Sequence, residues 1–294
     1  MLVATLVSAH GQALLGDALL KRIAALPGAL RTQRLDGEIA ADLFAEAGDA
    51  RKLEADLRPL LGDAAIDIVV QPAATRRKAL FLADMDSTMI GQECIDELAA
   101  YVGLKEKVSG ITERAMRGEI AFEPALRERV ALLKGVPLSV VAEIIRERIT
   151  LTPGGRELVM TMRRQGGYTA LVSGGFTVFT GPISATIGFD EHRSNTLLAQ
   201  NGVLIGEVAD PILGKQAKLD ALVELRARHA LSPAQTLAVG DGANDLAMLG
   251  EAGLGVAFRA KPAVAAAAHA RLDHADLTAL LYAQGYTGGE IVRT

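Results

Sequence analysis

ALFLADMDST, residues 79–88, is an apolar run that stops abruptly at two carboxylates one residue apart, Asp84 and Asp86. The same pattern recurs downstream. YTALVSGG (168–175) ends in Ser173, Gly174 and Gly175, and TLAVGDG (236–242) ends in Asp241 and Gly242, with Asn244 and Asp245 just beyond. GLGVAF (253–258) is a fourth run. Such runs, alternating with stretches of helical periodicity, predict an α/β fold with a Rossmann-like parallel sheet wrapped by helices. Ligands of open parallel sheets bind at the carboxyl ends of the strands, which is where these polar residues stand.

Working outward, residues 93 to about 150 show no strand, only helical periodicity broken at Gly103, Gly110, Gly118 and Gly135, and so predict a helical cap inserted after the first strand. Asn201-Gly202, between LLAQ and VLIGEV, signals a hairpin. Pro262 to Ala270 reads as a packing helix. Upstream, an apolar run (Leu2 to Val7), a helix (Leu14 to Leu26), two strands within Leu30 to Phe44 divided by Asp36-Gly37, a helix (Ala50 to Leu61) and a last apolar run (Ala65 to Val70) give βαββαβ. That order suits a small antiparallel α+β sheet, ferredoxin-like, with two helices on one face. The polar, proline-bearing stretch after it predicts a first domain over 1–72, a linker at 73–78 and a second domain over 79–294.

Composition excludes several classes. With 31 Lys+Arg against 35 Asp+Glu, a net charge of −4 offers no basic excess for nucleic acid. The lone Cys94 makes neither an intramolecular disulfide nor a zinc cluster, which fits a reducing, cytoplasmic setting. No apolar run approaches the roughly 18 residues of a membrane span. Cys94 has no catalytic reading either, since none of the five histidines stands in a motif that would activate it.

Taken singly, each polar strand end reads as a helix N-cap. Together they specify chemistry. Asp84 and Asp86 in one pocket repel each other, and a divalent cation relieves that repulsion; Asp241 and Asp245 add oxygen donors of the hard kind Mg²⁺ prefers. Lys218, in a helical pattern spanning Lys215 to Ala230, supplies positive charge beside Ser173 and the amides after Gly174. Carboxylate, cation, lysine and hydroxyl point to phosphoryl transfer.

The series DMDST, SGG, Lys218 and GDGAND, in this order over most of residues 79–270, resembles the haloacid dehalogenase-like phosphotransferases. ECIDELA, GEIAFEPALRERVALLKG, SGGF, AVGDGANDLAML and FRAKP narrow the resemblance to the phosphoserine phosphatase branch. The resemblance implies hydrolysis of O-phospho-L-serine to L-serine and phosphate, the last step of serine biosynthesis. Asp84 would be the nucleophile and Asp86 the general acid and base. Mg²⁺ would be held by the Asp84 carboxylate, the Asp86 main-chain carbonyl and Asp241, with Asp245 behind them. Ser173, Gly174 and Lys218 would hold the phosphate, supported by Asn244. Glu93 would bind the substrate ammonium and Arg129 its carboxylate, in a pocket shielded by the cap residues Met116 and Phe122, with Gly110 and Gly118 as mobile points.

Residues 1–70 are similar in element order to ACT-type ligand-binding modules. This implies either a structural, dimerising part or a module whose paired copies bind L-serine as an inhibitor, making the enzyme a homodimer. Two alternatives remain open on sequence: a related phosphatase or phosphotransferase acting on another small ester or acceptor, such as homoserine, and a non-catalytic sensor on the same scaffold.

Overall fold

The computed structural model describes residues 1–46, 48–116 and 119–293, without the side chains of residues 115 and 116. The shielding expected of Met116 and the mobility expected of Gly118 therefore lie outside the described residues.

The chain opens with β1 (Leu2–Ser8), α1 (Asp17–Ala24), β2 (Ala29–Asp36), β3 (Ala40–Ala45), α2 (Ala50–Leu61) and β4 (Ile66–Pro72). They build an antiparallel sheet in the order β2-β3-β1-β4. Alternate strand residues, Leu2, Ala4 and Leu6 of β1 with Ala41 and Leu43 of β3, share a core with Leu20 and Ile23 of α1 and Leu57 and Leu61 of α2. The two helices thus cover one face.

The opposite face is covered as well, since Val7, Leu35, Ala40 and Val69 belong to the main core together with Leu281, Tyr282 and Tyr286. Every residue of β1 and β3 is accordingly buried. The expected linker is pinned. After a 3₁₀ turn at Ala73–Thr75, Arg76 makes two bonds to Asp42 (2.8 and 3.1 Å) and donates to the carbonyls of Tyr282 and Ala283.

The rest of the chain runs β5 (Leu80–Ala83), α3 (Cys94–Tyr101), α4 (Lys105–Met116), α5 (Phe122–Ala131), α6 (Ser139–Glu147), α7 (Gly155–Arg164), β6 (Tyr168–Phe176), α8 (Thr177–Ile187) and β7 (Glu191–Asn195). It continues with β8 (Leu197–Gln200), β9 (Val203–Val208), α9 (Lys215–Arg228), β10 (Thr236–Gly240), α10 (Leu246–Glu251), β11 (Leu254–Phe258), α11 (Pro262–Ala267), β12 (Ala270–Leu272) and α12 (Ala279–Ala283). Six strands form a parallel sheet, β12-β11-β10-β5-β6-β7, with β5 and β10 side by side at its middle. The hairpin turn between β8 and β9 has Asn201 and Gly202 both at positive φ (52° and 76°), as its sequence requires.

Helices α3 to α6 form the insertion. It leaves and returns through two adjacent segments, where Ile90 bridges Leu151 and the Thr152 amide donates to the Met89 carbonyl. Two expectations change. Gly110 does not break the helical pattern: α4 runs through it, because Val108 and Ile111 beside it are buried and outweigh the roughly 1 kcal/mol that a mid-helix glycine costs. The helix expected over Pro262 to Ala270 stops at Ala267, and Ala270 starts the edge strand β12. Among the described residues no helix is long and apolar enough to cross a membrane.

Candidate active site

Strands β5, β6 and β10 end beside one another, and their carboxyl ends carry the residues singled out above. Asp84 follows β5 directly, anchored by its own amide to the Val239 carbonyl, and its Oδ1 accepts from the Met85 amide at 2.7 Å. The chain then turns tightly through Met85–Met89, with Ser87 at φ 55°. Asp86 is held by the Cys94 amide at 3.2 Å, and Ser87 donates to Glu93 Oε1 at 2.7 Å.

Lys218 reaches in from the first turns of α9, almost wholly buried. Its Nζ lies 2.6 Å from Asp84 Oδ2 and 2.6 Å from Asp245 Oδ1. Burial works against its charge, but the two carboxylates hold its pKa above the usual lysine range. Asp245 also accepts from the Gly242 amide at 3.0 Å. Gly240 is required here, because a Cβ on it would fall 2.3 Å from the Asp245 carboxyl carbon.

Asp84, Asp241 and Asp245 each offer a carboxylate oxygen, all within 4.8 Å of one another. Burial, then the charge of Asp84, raises the pKa of Asp241, and the same causes push Asp245 up to about 7. Crowded, desolvated carboxylates of this kind fit a hard divalent cation. Asp245 is wholly buried, with Oδ1 on Lys218 and Oδ2 on the Gly242 amide. Thr88, which the motif contains but the sequence reading left without a role, fixes Asp241 by donating to its Oδ1 at 3.1 Å.

At the end of β6 the ladder with β7 jumps from Val172 opposite Arg193 to Phe176 opposite Asn195, so Ser173, Gly174 and Gly175 bulge out. Ser173 Oγ accepts from the Gly175 amide at 2.9 Å. A Cβ on Gly175 would lie 3.0 Å from both Asp86 Oδ2 and Ser173 Oγ, which brings these two groups to the same spot. Asn244 stands beside Gly242 at the rim. Asp86 is pushed up to about 8 by burial, then by Glu93 and Asp84.

The insertion contributes Glu93, ahead of α3, and Arg129, in α5. Glu93 keeps contact with solvent, yet partial burial, opposed by the Ser87 hydrogen bond and aided by the charges of Asp241 and Asp84, raises the pKa of its carboxyl. Arg129 is half-buried, donating to Thr112 Oγ1 and the Ala125 carbonyl; burial lowers its pKa while Asp96 and Glu93 oppose that shift. The ring of Phe122 lies against Gly174 and Gly214. Cys94 is buried and its thiol is pushed far up by burial, so it stays protonated.

A strand-end carboxylate pair, a buried lysine and an inserted helical cap on a parallel sheet define a class. The haloacid dehalogenase-like hydrolase family matches residues 81–250, more than half of the chain, and the chain belongs to that family. Among curated relatives it is similar to phosphoserine phosphatase of Archaeoglobus fulgidus (43% identity, covering 79% of this chain and 68% of the relative) and to phosphoserine phosphatase SerB2 of Mycobacterium tuberculosis (41%, covering 81% and 59%). It thus spans less than two thirds of the second relative. Of solved structures, a haloacid dehalogenase family hydrolase of Salmonella enterica aligns with a TM-score of 0.85 at 28% identity over 96% of this chain and 97% of that one. A phospho-aspartyl intermediate analogue of phosphoserine phosphatase aligns at 0.65 and 39% identity, over 70% and 98%.

Proposed function

We propose that the protein is a cytoplasmic phosphoserine phosphatase, hydrolysing O-phospho-L-serine through an aspartyl-phosphate on Asp84. The observation that carries this reading is the buried ion chain Asp84–Lys218–Asp245, set beside Ser173 and Asp86. Identity of 41–43% to proteins named phosphoserine phosphatase supports the choice of substrate.

Asp84 is the nucleophile: a carboxylate oxygen attacks phosphorus, the bond from phosphorus to the seryl oxygen breaks, and Asp86 gives that oxygen its proton. Asp86 then takes a proton from the water that attacks the aspartyl-phosphate, releasing phosphate and restoring Asp84. Lys218, Ser173 and the Gly174 backbone bind the phosphoryl oxygens, with Asn244 in support. Asp84 and Asp241, with the Asp86 main chain and with Asp245 behind them, would hold Mg²⁺, which supplies positive charge against the transferring group. Glu93 takes the ammonium and Arg129 the carboxylate of serine.

Residues 1–72 are proposed as a regulatory module packed against the phosphatase part, 79–294, and joined to it through 73–78. Its exposed edge strand β2 offers a surface on which two copies would pair and bind L-serine as an inhibitor.

The test is steady-state phosphate release from O-phosphoserine, O-phosphothreonine and sugar phosphates, with and without EDTA. Phosphoserine should be preferred, EDTA should abolish turnover, and Asp84→Asn should be inactive. Turnover surviving Asp84→Asn would reject the covalent mechanism.

A further inference from the structure

Asn195, the last residue of β7, is 2% exposed and belongs to none of the groups described above. Its side-chain amide joins two separate parts of the site. Nδ2 donates to the Gly174 carbonyl (2.8 Å) and the Leu213 carbonyl (3.2 Å), while Oδ1 accepts from the Leu213 amide (2.7 Å). The first partner exists because of the bulge: Ser173 to Gly175 leave the ladder, so the Gly174 carbonyl loses the strand partner it would otherwise have. The second pair sits two residues before α9, the helix that carries Lys218.

One buried amide therefore sets the Ser173-Gly174 bulge relative to the start of the Lys218 helix. The cap reads the same spacing. A Cβ on Gly174 would lie 3.6 Å from Phe122 Cζ, and one on Gly214 would lie 3.5 Å from Phe122 Cδ1, so the ring rests across both glycines on either side of the amide bridge.

We propose that Asn195 is a positioning residue: it clamps the Gly174 bulge to the Leu213-Gly214 loop, thereby fixing the spacing of the two phosphate-binding arms and the notch that receives Phe122. The role rests on the phosphatase reading. Asn195 touches no reacting atom and acts through Gly174 and Leu213.

Asn195→Asp is the informative variant. It is nearly isosteric and keeps the acceptor for the Leu213 amide, but it turns a second carboxylate oxygen against two carbonyls. Displacing groups that orient a site costs about 10- to 100-fold. For the folded variant, kcat on O-phosphoserine should fall by about that factor and inhibition by orthovanadate should weaken in proportion, while KM, set largely by Glu93 and Arg129, should stay within about threefold. Asn195→Ala, which removes the clamp without adding charge, should shift the same quantities in the same direction. A folded variant with kcat and orthovanadate inhibition near those of the wild type would overturn the proposal. So would failure of both variants to fold, which would make Asn195 part of the scaffold. If the wild type hydrolyses no phosphate ester, the phosphatase reading falls by itself; orthovanadate binding by calorimetry then decides the clamp, with the same proportional loss expected.

Discussion

Asp84, Asp86, Asp241 and Asp245 bring four carboxyl groups into a pocket whose buried cation is Lys218, and the imbalance appears in the proton affinities of Asp86, Asp241 and Asp245. Burial first, then neighbouring carboxylates, pushes Asp86 up to about 8 and Asp245 up to about 7, and raises Asp241. The sign of the stability effect follows. Between the ordinary value of 3.8 and about 8 the folded chain keeps protons that the unfolded chain has lost, so stability falls as pH rises through that window. In EDTA the melting temperature should drop between about pH 5 and pH 8, and a divalent cation should flatten the slope. A slope unchanged by the cation would argue against a metal site at these carboxylates. Asp86→Asn should reduce the slope and also lower kcat by about 10²- to 10⁴-fold, since both proton transfers are lost. These residues were legible in the sequence because they follow the ends of apolar strands. Asn195 was not, since a polar side chain at the end of EHRSN carries no motif and its role appears only once the bulge and the Leu213 loop meet it.

At the scale of elements, the four strands read from the sequence, β5, β6, β10 and β11, are the inner ones, largely buried and apolar up to the point where they reach the site. The two at the sheet edges were missed for physical reasons: β7 is the polar run EHRSN and β12 has only three residues. The cap was legible as helices, but its seat was not, because the contact of Phe122 with Gly174 and Gly214 joins distant segments. Arg129 lies on α5, whose placement over the cleft gives it a function separable from that of the strand ends. Arg129→Ala removes a charge-assisted contact worth about 1.5–3 kcal/mol, so KM for O-phosphoserine should rise about 10- to 100-fold with kcat changed far less. An equal fall in kcat with KM unmoved would mean that Arg129 acts in the chemical step instead of holding the serine carboxylate.

Across the whole molecule, the first sheet is tied to the second through the end of the chain. Asp67 of β4 accepts from the amides of Asp273, His274 and Ala275 (3.0, 3.0 and 2.8 Å), Gln71 donates to the Ala283 carbonyl, and Tyr282 donates to Asp36 at 2.6 Å. The segment beyond runs against the return of the cap, where the Leu277 amide donates to the Pro153 carbonyl and Thr278 closes on Gly154. The signal for this second buried face was present in LVATLVS, which is apolar at most positions where a strand open to water on one side would alternate. A chain beginning at Thr75 would leave the three amides at 273–275 without their carboxylate and expose Leu281, Tyr282 and Tyr286. The three lost hydrogen bonds, at about 1 kcal/mol net each once water replaces the carboxylate, and about 2–4 °C of melting temperature per kcal/mol, mean that such a chain should melt at least about 6 °C below the full one, the lost apolar cover adding to the fall. Scanning calorimetry of both proteins checks this, and equal melting temperatures would show that the contacts between the sheets add nothing to stability. Serine inhibition is therefore better tested in the full chain, by substitutions on β2, than by removing a module whose loss disturbs the support of the cap.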